Sequence, residues 1–264
     1  MAFCRRLHSA RSRREAHAFL VEGARLATEA LDAGLDPNLV LVDRAALERT
    51  EPGQALLERV SPLPVSYDAS PDVISAAAET RTPQGIVLVF SEPSPVPVDR
   101  ASGRQLLLVL DSVADAGNAG AILRSARATG LDTVAFAGDT VDPWLGKVLR
   151  AGMGAHFQLS IIHAPWDELS PRVSGYDQVL AADARGGKSL YDVDWALPTA
   201  LVVGSEAHGL SPDAQNLRSA GVHIPMSGGV ESLNAAIAAS VILFHATRPG
   251  TTRRTWAESV TTND

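Results

Sequence analysis

Six short apolar runs in the second half of the chain constrain its fold more than any other feature. Runs such as LLLVL and ALVVG lack alternating polar residues, so both faces of each strand must be buried. Such strands are typical of a parallel sheet covered by helices on both faces. The runs lie at 106–110, 132–137, 158–162, 178–182, 200–204 and 222–225. The sequence therefore predicts an α/β domain with a parallel sheet, whose ligands usually bind at the carboxyl ends of the strands.

The segment before these runs alternates helical and strand patterns and predicts a smaller α/β domain. Apolar residues at helical spacing predict a helix over 15–34, ended by Gly34: Leu20, Ala24, Ala27 and Leu31. The pattern continues with strand 39–42, helix 45–59, a strand near 65, helix 71–78 and strand 85–90. Prolines at 93, 95 and 97 then indicate a semi-extended linker. We expect domains at 1–91 and 105–250, a linker at 92–104 and a polar tail at 251–264.

Composition excludes several classes of protein. One cysteine, Cys4, cannot form an internal disulfide, and no Cys/His group has zinc-site spacing, so no metal is expected. The most apolar run, 233–246, is too short to span a bilayer, so no membrane is expected. Residues 1–14 are rich in Arg and Ser, as in organellar transit peptides, but no apolar segment or cleavage site follows. We therefore expect a cytoplasmic protein.

Familiar catalytic signatures fail in detail. GGKS at 186–189 would need a glycine at Ala182 to form a nucleotide-binding P-loop. There is no G-x-G-x-x-G after a strand and no G-x-S-x-G. What remains is three loops, each of which follows a predicted strand, in the segments 106–130, 201–211 and 224–248.

Residues of these loops have plain structural interpretations when each is taken alone. Ser232 would cap a helix, Glu206 would be a loop carboxylate, and Arg124 would be a surface arginine two turns into a helix that starts near Asn118. Their order and spacing carry more information. Glycines at strand ends let a backbone approach a ligand closely, and a Ser/Asn pair at a helix start, here Ser232 and Asn234, can hydrogen-bond to one.

In this order the loops resemble the three motifs of the SpoU branch of the SPOUT methyltransferases. Motif one, N-x-G-x-I-x-R, is matched by Asn118, Gly120, Ile122 and Arg124. Motif two, G-x-E-x-x-G-L-S, is matched by Gly204, Glu206, Gly209, Leu210 and Ser211. Motif three, I-P-M followed by S-L-N, is matched by Ile224, Pro225, Met226, Ser232, Leu233 and Asn234. The stretch 147–155 is similar to K-x-x-R-A-S-x-G-A, with Gly152 in place of the serine.

The resemblance implies a parallel sheet threaded into a trefoil knot, S-adenosylmethionine as cofactor, and a homodimer whose active site forms between two subunits. It also implies cofactor binding by Gly204, Ile224, Met226 and Leu233. Arg124 would be the catalytic arginine. A guanidinium is not normally deprotonated, so we favour an arginine that holds a phosphate and stabilises a developing alkoxide over one that acts as a base. Asn118 and Glu206 would shape the loop facing it, while Ser232 and Asn234 would orient Arg124 or the ribose.

The first domain looks like the RNA-binding domain that many SpoU enzymes carry, which is similar to ribosomal proteins that bind kinked RNA. The resemblance rests on RRLHSARSRREAHAFLVEGARLATEAL and ETRTPQGIVLVF. Residues 1–30 hold six arginines against three glutamates, although the net charge of the chain is −7. A clustered positive charge suits a phosphate backbone, whereas a solvated helix face is the alternative. The expected RNA contacts are Arg5, Arg6, Arg11, Arg13, Arg14, Arg81 and, by family position, Arg150.

The function implied is methylation of a ribose 2′-hydroxyl, with ribosomal (23S) RNA as the expected partner because of the accessory domain. A transfer-RNA methyltransferase of the same branch is the second interpretation. A non-catalytic RNA-binding or ribosome-assembly protein is the third, and the presence of Arg124, Glu206, Ser232 and Asn234 disfavours it. A role in antibiotic resistance is a special case of the first interpretation, since the same chemistry serves both.

Overall fold

A computed structural model of the chain describes residues 1–94, 106–183, 186–227 and 231–248. The chain divides into two compact units. The N-terminal unit comprises residues 1–94 and 142–158, and the C-terminal unit comprises the described residues of 95–141 and 159–264. The expected tail, 251–264, and most of the expected linker lie outside the described residues.

The described residues form eleven strands and eleven α-helices, numbered here in chain order. The strands are β1 (Ala18–Glu22), β2 (Pro37–Val42), β3 (Ser66–Asp68), β4 (Ile86–Ser91), β5 (Leu106–Asp111), β6 (Thr133–Ala137), β7 (Ser160–His163), β8 (Gln178–Ala182), β9 (Lys188–Ser189), β10 (Thr199–Val203) and β11 (Ala220–His223). The helices are α1 (Ala2–Arg6), α2 (Ala10–Ala16), α3 (Ala24–Asp32), α4 (Arg44–Leu47), α5 (Glu51–Val60), α6 (Pro71–Ala77), α7 (Ala116–Ala128), α8 (Gly146–Gly152), α9 (Trp166–Val173), α10 (Pro212–Leu217) and α11 (Ala235–Ala246).

The N-terminal unit is built on a four-stranded sheet with the order β1-β4-β2-β3. Strand β4 is antiparallel to both β1 and β2, whereas β2 and β3 are parallel. Residues 142–158 belong to this unit, although the sequence places them within the expected domain 105–250. The Phe19 ring of β1 stacks 4.5 Å from the Trp144 ring and 6.2 Å from the Phe157 ring. This aromatic cluster joins the segment to the sheet.

The helix expected over 15–34 is wrong, because the structure places strand β1 in its middle. All five residues of AFLVE are buried, as expected for a strand covered on both faces. Gly23 then adopts φ +87°, a conformation that L side chains rarely adopt, and this turn separates β1 from α3. The helical spacing of Leu20 with Ala24 therefore crosses a strand, a turn and a helix.

The C-terminal unit contains a seven-stranded sheet with the order β7-β6-β5-β10-β8-β11-β9. Every neighbouring pair of these strands is parallel. The central strands β5 and β10 are almost wholly buried, which follows from their continuous apolar runs. The six strands expected from the sequence are confirmed within one or two residues, and β9 is an additional short one.

Among the described residues, no helix combines the length and the apolar character that a membrane span requires.

Candidate active site

A pocket of about 860 Å³ lies at the carboxyl ends of three neighbouring strands of the parallel sheet. Its wall is formed by residues that end or follow β8, β10 and β11, and by the segment that leads into α11. This is the edge at which ligands of parallel sheets usually bind. Gly204, Ile224, Met226 and Leu233, which were expected to bind the cofactor, all line the pocket, as do Glu206, Ser232 and Asn234.

The loop after β10 is a tight turn closed by two backbone hydrogen bonds. Ser205 N donates to Gly209 O over 2.9 Å, and Gly209 N donates to Ser205 O over 2.8 Å. A Cβ on Gly204 would lie 2.6 Å from Gly209 O, so only glycine allows the two chain segments to approach this closely. Gly209 itself has φ +70°. The two glycines of motif two therefore shape the turn that presents Glu206.

Asp111, which the sequence analysis missed, anchors the far end of this loop. It is fully buried at the end of β5, and its Oδ2 accepts a 2.7 Å hydrogen bond from Ser211 N. Its Oδ1 accepts from Trp166 Nε1 over 2.9 Å. The signal was a charged residue that ends an otherwise apolar strand, because a buried carboxylate must have partners.

Helix α7 positions the asparagine of motif one. The helix begins at Ala116, and the Asp115 side chain caps it by accepting a 2.7 Å hydrogen bond from Asn118 N. Asn118 therefore lies in the first turn of α7, with its side chain free to reach other segments. Asp115 is a second residue that the sequence analysis did not single out, although an aspartate just before a helix is a common cap.

Glu206 brings the three motifs together through one carboxylate oxygen. Its Oε1 accepts hydrogen bonds of 2.9 Å each from Asn118 Nδ2, Asn234 Nδ2 and Ala235 N. Asn234 Nδ2 also donates to Asn118 Oδ1 over 3.0 Å. Hydrogen bonds to an ionised group are stronger than those between neutral groups. The carboxylate thus joins α7, the turn after β10 and the start of α11, as the order of the motifs predicted.

Asn234, not Ser232, caps α11. Its Oδ1 accepts from Ala236 N over 2.9 Å and from Ile237 N over 3.2 Å. With Oδ1 on the helix and Nδ2 on Glu206, the amide holds both the cap and the site in place. Ser232 was expected to be the cap or to orient Arg124 or the ribose, and it is exposed at the pocket wall. Asn234 does not contact Arg124 either, since its two amide atoms are taken by these partners.

Arg124 lies apart from this network. It is exposed on α7, two turns after the helix begins, and its side chain has no hydrogen bond or ion pair with any other described residue. It is also absent from the described lining of the 860 Å³ pocket. The guanidinium is therefore available for a partner outside this chain, and it contacts none of the described residues that line the pocket.

The polar end of the pocket carries charges of both signs. The Arg218 guanidinium lies 3.6 Å from the Asp183 carboxylate, and both residues are partly exposed. Glu231 and His208 also line the wall. Apolar side chains, among them Leu210 and Ile242, also line the pocket. The described residues contain no group of three or more His, Cys, Asp or Glu side chains placed to hold a metal ion.

The arginines expected to bind RNA divide into exposed and buried ones. The exposed set is Arg5, Arg6, Arg11, Arg14 and Arg81, of which Arg11 pairs with Glu15. Arg13 is a correction, because its side chain is only 2% exposed. Its Nε and Nη2 donate to Asp142 Oδ2, and its Nη1 donates to Leu7 O over 2.6 Å. A buried guanidinium with these partners is not available to a phosphate, and removing Asp142 would leave a buried charge unpaired.

Arg150 is partly exposed, and its Nη1 lies 3.8 Å from the Glu79 carboxylate. Burial and the neighbouring Glu22 raise the pKa of Glu79 above its ordinary value. Glu22 itself is buried, and its Oε2 accepts from Thr80 N and from Thr80 Oγ1. Glu79 thus sets the direction of Arg150, which remains accessible from solvent.

Gly152, which stands in place of the family's serine, packs against His156. The imidazole of His156 is fully buried. Burial lowers the pKa of His156 to about 3, so the ring is neutral at physiological pH. A Cβ at position 152 would lie 2.6 Å from Nδ1 and closer still to Cε1. The glycine therefore makes room for the ring.

Two families of known proteins match this chain along its length. The SpoU rRNA Methylase family matches residues 105–244, and the MRM3-like substrate binding domain matches residues 3–88. The gap between the two matches contains the prolines at positions 93, 95 and 97.

Individual relatives are similar over most of the chain. The 23S rRNA (guanosine(2553)-2'-O)-methyltransferase RlmP of Bacillus subtilis is 30% identical over 91% of this chain and 93% of its own. The rRNA methyltransferase 3A, mitochondrial, of Danio rerio is 33% identical over 87% of this chain, which spans 63% of that protein's length.

A solved structure is also similar. The SpoU methyltransferase AviRb of Streptomyces viridochromogenes, crystallised in complex with AdoMet, has a TM-score of 0.82 and 30% identity. The alignment covers 93% of this chain and 95% of that one.

Proposed function

Because the chain belongs to the SpoU rRNA methylase family, we propose that it transfers a methyl group from S-adenosylmethionine to a ribose 2′-hydroxyl of ribosomal RNA. The observation that carries this proposal is the Glu206 carboxylate, which joins Asn118, Asn234 and Ala235 beside the pocket at the strand ends. A relative that is similar over almost its whole length is named for this reaction on 23S rRNA.

The pocket fits S-adenosylmethionine in size and chemistry. Its volume of about 860 Å³ lies in the range of roughly 300–1,000 Å³ that small-molecule sites occupy. Apolar residues such as Ile224, Met226 and Leu233 suit an adenine ring, and Asp183 with Arg218 suits an amino acid group that carries both charges. When bound, the cofactor supplies an activated methyl group on a sulfonium, and in-line transfer from it needs no metal.

Arg124 is the residue we assign to the reacting hydroxyl. A guanidinium that holds the neighbouring phosphate in two hydrogen bonds would fix the ribose and stabilise negative charge as it develops on the 2′-oxygen. Its exposure and its lack of a partner among the described residues support this role. Asn118 and Glu206 hold the start of the same helix.

The separation of Arg124 from the pocket supports a homodimer in which Arg124 of one subunit serves the pocket of the other. Helix α11 provides a surface for such an association. Ile237, Val241 and Phe244 recur at helical spacing and are 53%, 40% and 55% exposed. Exposed apolar stripes of this kind are typical of protein interfaces. We also propose that the C-terminal segment of the parallel sheet is threaded into a trefoil knot. The enzyme would act in the cytoplasm.

Transfer RNA remains the alternative substrate, and the substrate-binding domain match at residues 3–88 favours ribosomal RNA. The test is radiolabelled methyl transfer from S-adenosylmethionine to unmodified ribosomal and transfer RNA transcripts. We expect label in the 2′-hydroxyl of one ribosomal nucleotide. Label confined to transfer RNA would favour the alternative. A protein that binds the cofactor and labels neither transcripts nor assembled ribosomal subunits would be non-catalytic.

Arg124→Ala should reduce methyl transfer about 10²–10³-fold, the usual loss when a group that stabilises developing charge is removed. Cofactor affinity, measured by calorimetry, should not change, because Arg124 is not part of the described pocket lining. Arg172→Ala, which removes an exposed arginine of α9 in the same unit, is the matched control. Near-normal turnover by Arg124→Ala would refute the assigned role.

The homodimer is tested by light scattering at micromolar concentration. Phe244→Glu should give a monomer, because a charge at the centre of an apolar interface is costly to bury. Tyr67→Glu is a matched control, since Tyr67 is also an aromatic residue and is 55% exposed on β3. A wild-type protein that is monomeric under these conditions would contradict the proposal.

A further inference from the structure

The N-terminal unit has a pocket of its own, of about 220 Å³, beside the start of α3. This volume is below the roughly 300–1,000 Å³ of sites that hold a whole cofactor or drug-sized ligand. Leu26 and Met153 provide apolar walls, and charged and polar side chains complete the lining. A space of this size and character suits one planar ring system.

Two charges of opposite sign line this pocket without pairing. Arg25 and Glu29 are one helical turn apart on α3, a spacing at which opposite charges usually attract each other. Neither forms an ion pair or hydrogen bond with the other or with any further described side chain. A phosphate offers only acceptors and would be repelled by Glu29. Free charges of both signs instead suit a ligand whose edge carries both donors and acceptors.

The walls of the pocket are held in place before any ligand binds. Glu22 fixes the segment that begins at Thr80, and Gln84 Oε1 accepts a 3.2 Å hydrogen bond from Ala24 N at the start of α3. Arg150 adds a second guanidinium, with Glu79 beside it. Prior ordering of this kind reduces the entropy lost on binding.

Building on the proposed function, we propose that this pocket binds one unstacked guanine base of the RNA substrate. Guanine presents two adjacent N–H donors, at N1 and the 2-amino group, that match both oxygens of the Glu29 carboxylate. Its O6 and N7 are acceptors that match a guanidinium, either Arg25 or Arg150. Proteins read single-stranded RNA through such splayed bases, and the exposed Arg81 lies close in sequence for phosphate contact.

The experiment measures binding of the full chain to labelled single-stranded RNA heptamers by fluorescence anisotropy at one fixed salt concentration. The probes are UUUGUUU, UUUAUUU and UUUUUUU. We expect the guanine-containing heptamer to bind about tenfold more tightly than the other two, within the range that one bidentate contact to a base edge provides. Glu29→Gln should remove this preference, because an amide has one acceptor oxygen for the two N–H groups. It should not weaken the binding of UUUUUUU, because the lost charge repels phosphate.

Glu58→Gln, an exposed glutamate of α5, is the matched control and should retain the preference. Equal affinity of the wild-type protein for the three heptamers would overturn the inference, as would a Glu29→Gln protein that keeps the preference. Methyl transfer to ribosomal transcript is measured on the same preparations. Transfer without a guanine preference contradicts this inference alone, whereas a guanine preference without transfer contradicts the proposed enzyme and leaves the base pocket standing.

Discussion

Gly152→Ala should destabilise the N-terminal unit, because the added methyl group meets the imidazole of His156. The new Cβ would lie within 2.6 Å of His156 Nδ1, well inside the contact distance of two atoms. The ring is fully buried and its centroid lies 5.9 Å from that of Trp144. It therefore cannot swing into solvent, and the neighbouring core must shift instead.

The size of the effect follows from two opposing contributions. Overfilling a packed core costs about 1–3 kcal/mol. Replacing glycine by alanine in a helix contributes up to about 1 kcal/mol in the opposite direction. Gly152 is the last residue of α8, so this gain is partial. We expect a net loss of about 1–2 kcal/mol in the free energy of unfolding.

The assay is a double-mutant cycle with His156→Ala, followed by urea unfolding and circular dichroism. With the ring removed, the clash disappears while the helical gain remains, so Gly152→Ala should become neutral or stabilising. The decisive result is that the effect of Gly152→Ala on the free energy of unfolding changes sign between the two backgrounds. An equal cost of Gly152→Ala in both backgrounds would refute the packing argument.

Two further predictions concern charge and the site. Burial and the nearby Asp142 raise the pKa of Glu92 to about 7, so between about pH 4.5 and 7 the unfolded chain loses this proton first and stability falls as pH rises. The full shift would correspond to roughly 3 kcal/mol, which solvent screening of this half-exposed side chain reduces to about 1 kcal/mol. Glu92→Gln should therefore stabilise the protein by this amount at pH 8 but not at pH 4, measured by urea unfolding; equal effects at both pH values would contradict it. Glu206→Ala should weaken S-adenosylmethionine binding about tenfold in calorimetry, as expected for loss of hydrogen bonds to a charged group, and adding Asn118→Ala should cause little further loss. Additive losses would mean that the two side chains act independently.

The parallel strands could be predicted because burial on both faces requires a continuous apolar run in the local sequence. Runs such as LLLVL at β5 and ALVV at β10 contain no residue suited to water. The order of the seven strands in the sheet has no such local sequence pattern. Strand β10 lies between β5 and β8, and that pairing depends on contacts between residues far apart in sequence.

Two predictions, the helix over 15–34 and the exposure of Arg13, were wrong because contacts between distant residues outweigh the local sequence pattern. Leu20 and Ala24 have helical spacing, yet Leu20 belongs to a strand that pairs with β4. Arg13 has the sequence context of a surface arginine, and its burial depends on Asp142, which lies 129 residues away. Neither contact can be inferred from the neighbouring residues.

The sequence predicted that the three motifs lie close together, but not which side chains connect them. Motif order placed Asn118, Glu206 and Asn234 together, and the structure confirms their proximity. The identity of the α11 cap was wrong, because Ser and Asn two positions apart both qualify as caps and only the backbone path decides between them. Asn234 was expected to orient either Arg124 or the ribose, and the structure shows no contact between Asn234 and Arg124 within the chain.

The partners of Glu206 are synthesised at different times, so the order of synthesis determines when its hydrogen bonds can form. Asn118 is synthesised 88 residues before Glu206, and Asn234 follows 28 residues after it. When Glu206 has just been synthesised, the strands from β5 to β10 are already part of the chain, but two of the three donors to its carboxylate, Asn234 Nδ2 and Ala235 N, are not. The site can be completed only after residues 234 and 235 have been synthesised, so a chain that ends before them lacks two of the three groups that hold Glu206.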